Sequence, residues 1–487
     1  FNSHIFMLLF LPLLLAGWYF LNWKKKFQLA QGYLIGMSLW FYAYANLQYL
    51  WLLLFSCLIG WLLSCVPEKI SSEKGKKVLT GVGCVFHLGL LGYFKYSNFF
   101  LENLNTVFHT DFPMLQILLP VGISFYTFQQ LAYLIDRCRG DAPRDSFFDY
   151  LTFMVYFPQL LQGPILLRSE FMGQLKEPER RRFHAERFSE GIQFFVFGLA
   201  KKVLLADTLA KAVNYGYSNV SMLDSISALL LAVGYLTELY FDFSGYCDMA
   251  VGLGKMIGLE VAENFDAPFH SASVKEFWRR WHMTLGRFFT RYVYIPLGGN
   301  RRGKMRTLCN VMIVMLLSGL WHGAAWTFVL WGFLHGVGMI WDNLEHPHLP
   351  KKWMRQAATF AYVCMTFVFF RAESIAQGID VLKSIVSLKW NGFVFQMASA
   401  LDMTECYIIT KALSMKLPGL LSWFWLGIFV VLIAICFRVL SGEKVSGVVA
   451  LQRQKGYGRL YPVLLAVLFT WSMISMTGVS EYLYFSF

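Results

Sequence analysis

The sequence predicts an all-α polytopic membrane protein, with roughly eleven to thirteen transmembrane helices by hydropathy. Three observations carry that expectation. Hydrophobic residues make up 56% of the 487 residues and charged ones only 15%, too little polar surface for a soluble chain of this length; the mean hydropathy is +0.48. Apolar runs of about 18 to 25 residues recur along the chain, each long enough to cross a bilayer as a helix. Lipid leaves backbone groups no outside partner, so the spans are expected to be helices. The formal net charge of +13 could suggest nucleic acid. Its Lys and Arg, however, sit in short loops between apolar runs, as the positive-inside rule demands. Membrane lipid is the expected partner and nucleic acid is not.

Residues 5 to 23 read as the first span. No basic region precedes it and no small-residue cleavage site follows it, so a cleavable signal peptide is not expected. Lys24, Lys25 and Lys26 come next, which places the N-terminus outside and these lysines in the cytoplasm. The run from 28 to 66 is too long for one span and divides in two, turning near Tyr44, Ala45 and Asn46. The lysine-rich loop from Glu68 to Lys77 reads as cytoplasmic. Residues 78 to 96 span again and end in Lys95 and Tyr96. The more polar residues 101 to 117, with Pro113, read as an external loop. Pro120 suits the start of the next helix, which closes near Asp136. Ser124, Thr127 and Gln129 are polar groups in that apolar helix, where such groups face other helices or a cavity.

From Phe157 to Pro164 two prolines and a glycine forbid a straight span. The choice is a re-entrant segment or tunnel wall, or a loop at the membrane surface. The basic residues from Lys176 to Arg187 read as a cytoplasmic loop. Lys201 and Lys202 have the reach to snorkel from a helix end. Asp242 and Asp248 stand in an apolar setting, where carboxylates are functional candidates by default; bonding to backbone groups or to a neighbouring arginine is the structural alternative. Residues 357 to 371 span, 373 to 417 form an amphipathic interfacial region, and two more spans follow near 420 to 440 and 460 to 477. The nine cysteines are scattered without a Cys-x-x-Cys pair, which favours buried thiols over disulfides or metal ligands.

Residues 264 to 341 organise the rest. Nine Lys or Arg and one acid, Glu276, lie between Lys275 and Arg306. At helical spacing Arg280, Arg287 and Arg291 share one face, and Phe277, Trp281, Phe288 and Tyr292 another. Such a helix lies in the membrane interface, its arginines toward headgroups. Those arginines serve as lipid anchors, or also hold the phosphates of a substrate. An apolar run from 311 to 341 follows, with His322 inside it. Ser318, Gly319, Leu320 and Trp321 precede this histidine and Gly323 follows it. An apolar setting favours the neutral imidazole that a general base requires, and the flanking glycines let a substrate approach the backbone. His282 lies on the aromatic side of the basic segment. On a continuous helix His335 would sit about 20 Å from His322 and roughly 140° round the axis. It is therefore expected to be structural or to line a tunnel, unless the helix breaks near Gly332. The other seven histidines, His346 and His348 among them, show no comparable context. No serine elbow, phosphate-binding loop or zinc-ligand spacing occurs.

Three motifs, Phe277-Trp278-Arg279-Arg280-Trp281-His282, Tyr294-Ile295-Pro296-Leu297-Gly298-Gly299-Asn300 and Trp321-His322-Gly323, resemble those of the membrane-bound O-acyltransferase (MBOAT) family. Within it they are most similar to the bacterial AlgI/DltB-like branch of alginate O-acetylation and teichoic-acid D-alanylation proteins. Leu119 to Gln129 and the ending Phe369-Phe370-Arg371-Ala372 lie nearer the alginate O-acetyltransferase side. The resemblance covers nearly the whole chain. It implies a single MBOAT membrane domain over 1–487, with a catalytic core at about 119–341, C-terminal helices over 357–487, and re-entrant and interfacial helices around a central tunnel.

The resemblance further implies an O-acyltransferase in the cell (inner) membrane, with His322 catalytic and His282 assisting it. Substrate contacts are expected from Arg280, Trp281, Arg287, Arg291, Ser318, Trp321, Asp248 and Gln129. The acyl group, expected to be acetyl, would come from acetyl-CoA or a phosphopantetheine carrier-protein thioester, with no bound cofactor or metal. It would cross the membrane to an extracytoplasmic polysaccharide such as alginate, through an exported SGNH-type acetyltransferase or esterase partner. Two rivals stand beside this reading. One is D-alanyl transfer to teichoic acid from a carrier protein. The other is a non-enzymatic transporter, whose signature would be internal repeats; none is present in the sequence.

Overall fold

Backbone groups that cannot bond to lipid must bond within their own segment, and the described chain is accordingly helical, with no strand among the described residues. The structure is a computed structural model and describes residues 1–344, 351–440, 444–455, 458, 460–476 and 483. His346 and His348 lie outside the described residues.

The N-terminal part holds α1 (Leu11–Trp23), α2 (Phe27–Asn46), α3 (Leu50–Ser64), α4 (Glu73–Leu91) and α5 (Ser97–Phe108). The expected division of the run 28–66 falls at Asn46, followed by a 3₁₀ turn at Leu47–Tyr49. A π-helical turn at Gly92–Tyr96 joins α4 to α5, so helix continues into residues expected to form an external loop. Next come α6 (Ile123–Arg139), α7 (Phe147–Val155), α8 (Phe157–Leu160) and α9 (Arg168–Leu175). Pro120 does not open α6; Gly122 caps it in the left-handed region at φ 77. Residues 151 to 166, including the broken Phe157–Pro164 segment, are buried throughout. The segment is therefore enclosed by protein and is not a surface loop. Gly163 permits its sharp return, since a Cβ there would lie 2.2 Å from the Pro158 carbonyl oxygen.

Helices α10 (Ala185–Ala200), α11 (Asp207–Ser218) and α12 (Ser225–Ile257) form the centre. The apolar window of α12 is 78% buried, against 17% for the Glu73–Phe108 segment, which identifies α12 as the internal helix. It packs antiparallel on α10 through pairs of glycines. A Cβ on Gly191 would lie 2.6 Å from the Gly252 carbonyl oxygen, and one on Gly198 2.5 Å from that of Gly245. Small residues at such crossings let backbones approach closely. In the register this sets, Lys202 meets Asp242 at 2.6 Å and Lys201 meets Asp248 at 2.6 Å. The two lysines do not snorkel, then; Lys202 is 2% exposed. The partners of the aspartates are lysines, not the arginine considered from sequence.

The basic segment is not one amphipathic helix. It divides into α13 (Val274–Arg280) and α14 (Met283–Phe289), followed by a π-helical turn at Thr290–Tyr294. The break is His282, at φ 46. The expected aromatic face is accordingly split: Phe277 and Trp281 belong to one core cluster, Phe288 and Tyr292 to another. The apolar run that follows is also two helices, α15 (Lys304–His322) and α16 (Trp326–Asn343). They form an antiparallel hairpin around Gly323, Ala324 and Ala325. The C-terminal part comprises α17 (Lys352–Arg371), α18 (Ile375–Val386), α19 (Phe393–Ser399), α20 (Tyr407–Lys416), α21 (Pro418–Leu440), α22 (Val445–Lys455) and α23 (Leu460–Ser475). Among the described residues six helical segments are long and apolar enough to cross a membrane. That is fewer than the hydropathy count, because several apolar runs fold as shorter helices broken at turns.

Candidate active site

His282 and His322 come together where the α13–α14 break meets the end of α15, with ring centroids 6.4 Å apart. His322 occupies the last turn of α15, where the run expected to continue to 341 breaks. Both are buried, at 1% and 3% exposure. The walls are aromatic. Around His322 stand Trp321 at 4.9 Å, Trp331 at 5.2 Å and Phe370 at 5.2 Å. Phe243 meets the His282 ring edge-on at 4.8 Å.

His282 adopts a left-handed conformation that costs a non-glycine residue about 1–3 kcal/mol when held in a sparsely populated region. The neighbouring chain fixes it there. Met283 N donates to the Asn264 carbonyl oxygen at 2.9 Å, and Asp266 N to that of Arg280 at 2.8 Å. Thr284 donates to Asn264 Oδ1 from both N and Oγ1, each at 3.0 Å. A backbone N–H is a donor only, so the Asn264 amide is oriented with its oxygen toward this turn. His282 Nδ1 lies 3.2 Å from that same oxygen. Nδ1 must therefore donate, which leaves the lone pair on Nε2. Asn264 thus selects the tautomer of His282.

His335 enters the same aromatic cluster because the α15–α16 hairpin folds it back; the continuous-helix geometry that placed it about 20 Å away does not apply. Trp331 lies between, 5.2 Å from His322 and 4.8 Å from His335. Both ring nitrogens of His335 are engaged. Trp278 Nε1 donates to Nδ1 at 3.2 Å, and Nε2 lies 2.9 Å from Thr366 Oγ1. Nε2 therefore carries the proton, and His335 ties α13, α16 and α17 together.

Residues 139–378 match the membrane-bound O-acyltransferase family, MBOAT. The peptidoglycan O-acetyltransferase of Helicobacter pylori is 35% identical over 421 residues, 80% of each chain. The chain belongs to the MBOAT family. The probable alginate O-acetylase AlgI of Azotobacter vinelandii is 39% identical over 387 residues, 77% of this chain and 75% of its own. The teichoic acid D-alanyltransferase of Streptococcus thermophilus is 28% identical over 253 residues, 49% of this chain and 58% of its own. The protein is therefore a membrane acyltransferase.

The other sequence candidates distribute unevenly about this MBOAT site. Trp321 is at it, stacked on Phe128, edge-on to Phe125 and donating from Nε1 to the Ser124 carbonyl oxygen at 3.4 Å. Ser318 is buried one turn earlier on α15. Trp281 packs instead against Phe265, Phe277 and Phe367. Gln129 donates to the Phe153 carbonyl oxygen at 3.2 Å and braces α6 against α7. Asp248, paired with Lys201, lines a cavity of about 540 Å³ whose wall also includes Ser244 and Asn264. Each arginine already has acidic partners. Arg280 bonds to Glu276 at 2.8 Å, Arg287 bonds to Glu170 through both terminal nitrogens, and Arg291 lies 3.0 Å from Asp136 and 3.2 Å from Asp141. The Arg287 pair links α14 to α9 and the Arg291 pair links the following π-helical turn to α6, while Arg280–Glu276 lies within α13, so the arginines are less suited to phosphate than their spacing suggested. Sequence reasoning gave no role to Asn264, Phe370 or Lys95. Asn264 opens the organising stretch, and Lys95 is a lone cation ending an apolar run; those were the available signals.

Proposed function

We propose that this protein carries an acetyl group from a cytoplasmic thioester donor, acetyl-CoA or a phosphopantetheine carrier, for O-acetylation of an extracytoplasmic polysaccharide. The observation that carries this is the buried His282–His322 pair, with one tautomer fixed by Asn264, in an MBOAT chain similar to O-acetylating relatives. Neutral His322 removes a proton from the acceptor hydroxyl, and the oxygen attacks the thioester carbonyl. The tetrahedral intermediate collapses, and the leaving thiolate takes the proton back from His322. His282 orients and polarises this centre from 6.4 Å. The aromatic walls exclude water, which would otherwise hydrolyse the thioester. The reading includes an inner-membrane location with the N-terminus outside and an exported SGNH-type partner that delivers the acyl group to the glycan.

D-alanyl transfer from a carrier protein is the second reading, favoured by the likeness to the Streptococcus thermophilus teichoic acid D-alanyltransferase. Greater identity over a larger share of both chains favours acetylation. The test is incubation of purified protein with labelled acetyl-CoA, and separately with a D-alanyl carrier protein. Acetyl transfer or thioester cleavage is expected, and His322→Ala should lower it about a hundred- to ten-thousand-fold with Tm unchanged. A His322→Ala protein at wild-type rate would remove the base from this mechanism.

A further inference from the structure

Lys95 stands on the π-helical turn between α4 and α5, inside one of the six segments long and apolar enough to cross a membrane. Its ammonium donates to the carbonyl oxygens of Trp321 at 2.7 Å and His322 at 2.8 Å. Tyr96 adds a bond from its hydroxyl to the Leu320 carbonyl oxygen at 2.6 Å. Together they satisfy the C-terminal carbonyls of α15. A cation also suits the negative end of that helix. Among the described residues no carboxylate pairs with Lys95, whereas Lys201 and Lys202 both have aspartate partners. A lysine at membrane depth without an acid partner is costly and marks function by default. An ammonium has three N–H donors, and the two carbonyls take two of them.

The third observation is space. Lys95 and His322 line one cleft of about 50 Å³, which Gly122, Ser124, Leu161 and Trp321 also line. A water-sized sphere needs about 10–15 Å³, so the cleft holds roughly three to five. That is the size of the methyl, carbonyl carbon, oxygen and sulfur of an acetyl thioester.

We propose that this cleft is the acyl-group site and that Lys95 is a catalytic residue, its free N–H donating to the thioester carbonyl oxygen as it becomes an oxyanion. The inference rests on the thioester reading with His322 as base. As His322 takes the hydroxyl proton, the new C–O bond forms and the carbonyl π electrons move to the oxygen facing Lys95. The C–S bond then breaks, the C=O bond re-forms, and the thiolate receives the proton from His322. The ammonium keeps its own protons throughout.

The test uses purified full-length protein with labelled acetyl-CoA, a thioether analogue of acetyl-CoA, and methylphosphonyl-CoA, whose tetrahedral oxygens imitate the intermediate. Removing one oxyanion donor costs about 10²- to 10³-fold in kcat, and that loss is expected of Lys95→Met with donor KM little changed. Affinity for the phosphonyl analogue should fall by the same factor while the thioether binds as before. Lys95→Arg, which keeps the charge, should recover part of both. If Lys95→Met lowers Tm, Lys95→Gln keeps donors for the two carbonyls without the charge and carries the same comparison. Equal loss of both analogues, or unchanged preference for the phosphonyl one, overturns the proposal and leaves Lys95 as a helix cap. His322→Ala separates the two readings: it should lose turnover yet retain the Lys95-dependent preference for the phosphonyl analogue. A wild-type protein that cleaves neither acetyl-CoA nor a carrier-protein thioester sinks the thioester reading and the Lys95 proposal together.

Discussion

Asn264 decides the chemistry of the site through a single oxygen. That oxygen receives three donors, two from Thr284 and one from His282. Asn264→Ala would release the His282 tautomer and the left-handed turn at once. Activity should fall, by less than for His322→Ala, since His282 acts on the base from one ring away. Asn264→Asp keeps the acceptor oxygens, so it should recover more activity than Asn264→Ala at matched Tm. His335→Ala is the contrast. It breaks bonds to Trp278 and Thr366, so its main effect should be a lower Tm, with kcat per folded molecule nearly retained. Equal kcat losses for His335→Ala and His322→Ala would show that both imidazoles serve the reaction. His322 was legible as a candidate because its motif is contiguous in sequence. The tautomer of His282 was not, because it depends on which atom of a residue 18 positions away faces the ring.

The α15–α16 hairpin is what makes one site of these residues. Gly319 and Gly332 meet at its crossing. A Cβ on Gly332 would lie 2.4 Å from the Met315 carbonyl oxygen, and one on Gly319 2.3 Å from that of Phe328. Backbone atoms cannot step aside as a side-chain tip can, so Gly332→Val should open the hairpin and withdraw Trp331 from His322. Overpacking of this kind costs about 1–3 kcal/mol, which a thermal melt at matched detergent should show as a lower Tm. Gly419→Ala, where a Cβ meets no atom within 4 Å, should leave the melt unchanged. Hydrophobicity alone gave one run from 311 to 341, because Gly323, Ala324 and Ala325 are as apolar as the helices they separate. The same limit applied to the basic segment. Its 3.6-residue spacing was read through His282, where the chain turns left-handed, and through a π-helical turn that shifts the phase by one residue. Periodicity predicts faces only while the helix is unbroken.

At the scale of the whole molecule, contacts join several of the positive loops and can be followed from loop to loop. Arg181 donates to the Phe27 carbonyl oxygen at 3.3 Å, beside Lys24 to Lys26. Asp145 pairs with Arg168 at 2.5 Å and Lys176 at 3.5 Å, while Glu68 pairs with Arg137 at 2.8 Å and Arg144 at 4.0 Å. Arg291 reaches Asp141, and Arg139 lies over the Tyr292 ring at 5.8 Å. The loops around residues 27, 68, 141, 176 and 181 and the turn at Arg291 are thus joined along one surface by contacts that span up to 155 positions, while the shared side expected for Lys24, Lys76, Arg181 and Arg301 rests on their loop composition. The Glu73–Phe108 segment leaves this surface and continues for 36 residues. At 1.5 Å per residue that is about 50 Å, more than the roughly 30 Å of hydrocarbon, so Thr110 belongs on the other side. If the positive loops face the cytoplasm, Lys76→Cys, Arg181→Cys and Arg301→Cys in a cysteine-free background should resist an impermeant maleimide in intact cells. Thr110→Cys should label readily, and permeabilising the cells should expose the first three. Labelling of two or more basic-loop cysteines from outside would invert the orientation. It would also put the basic loops on the wrong side for a cytoplasmic thioester, leaving the carbonyl chemistry proposed at Lys95 and His322 to be supplied from the opposite compartment.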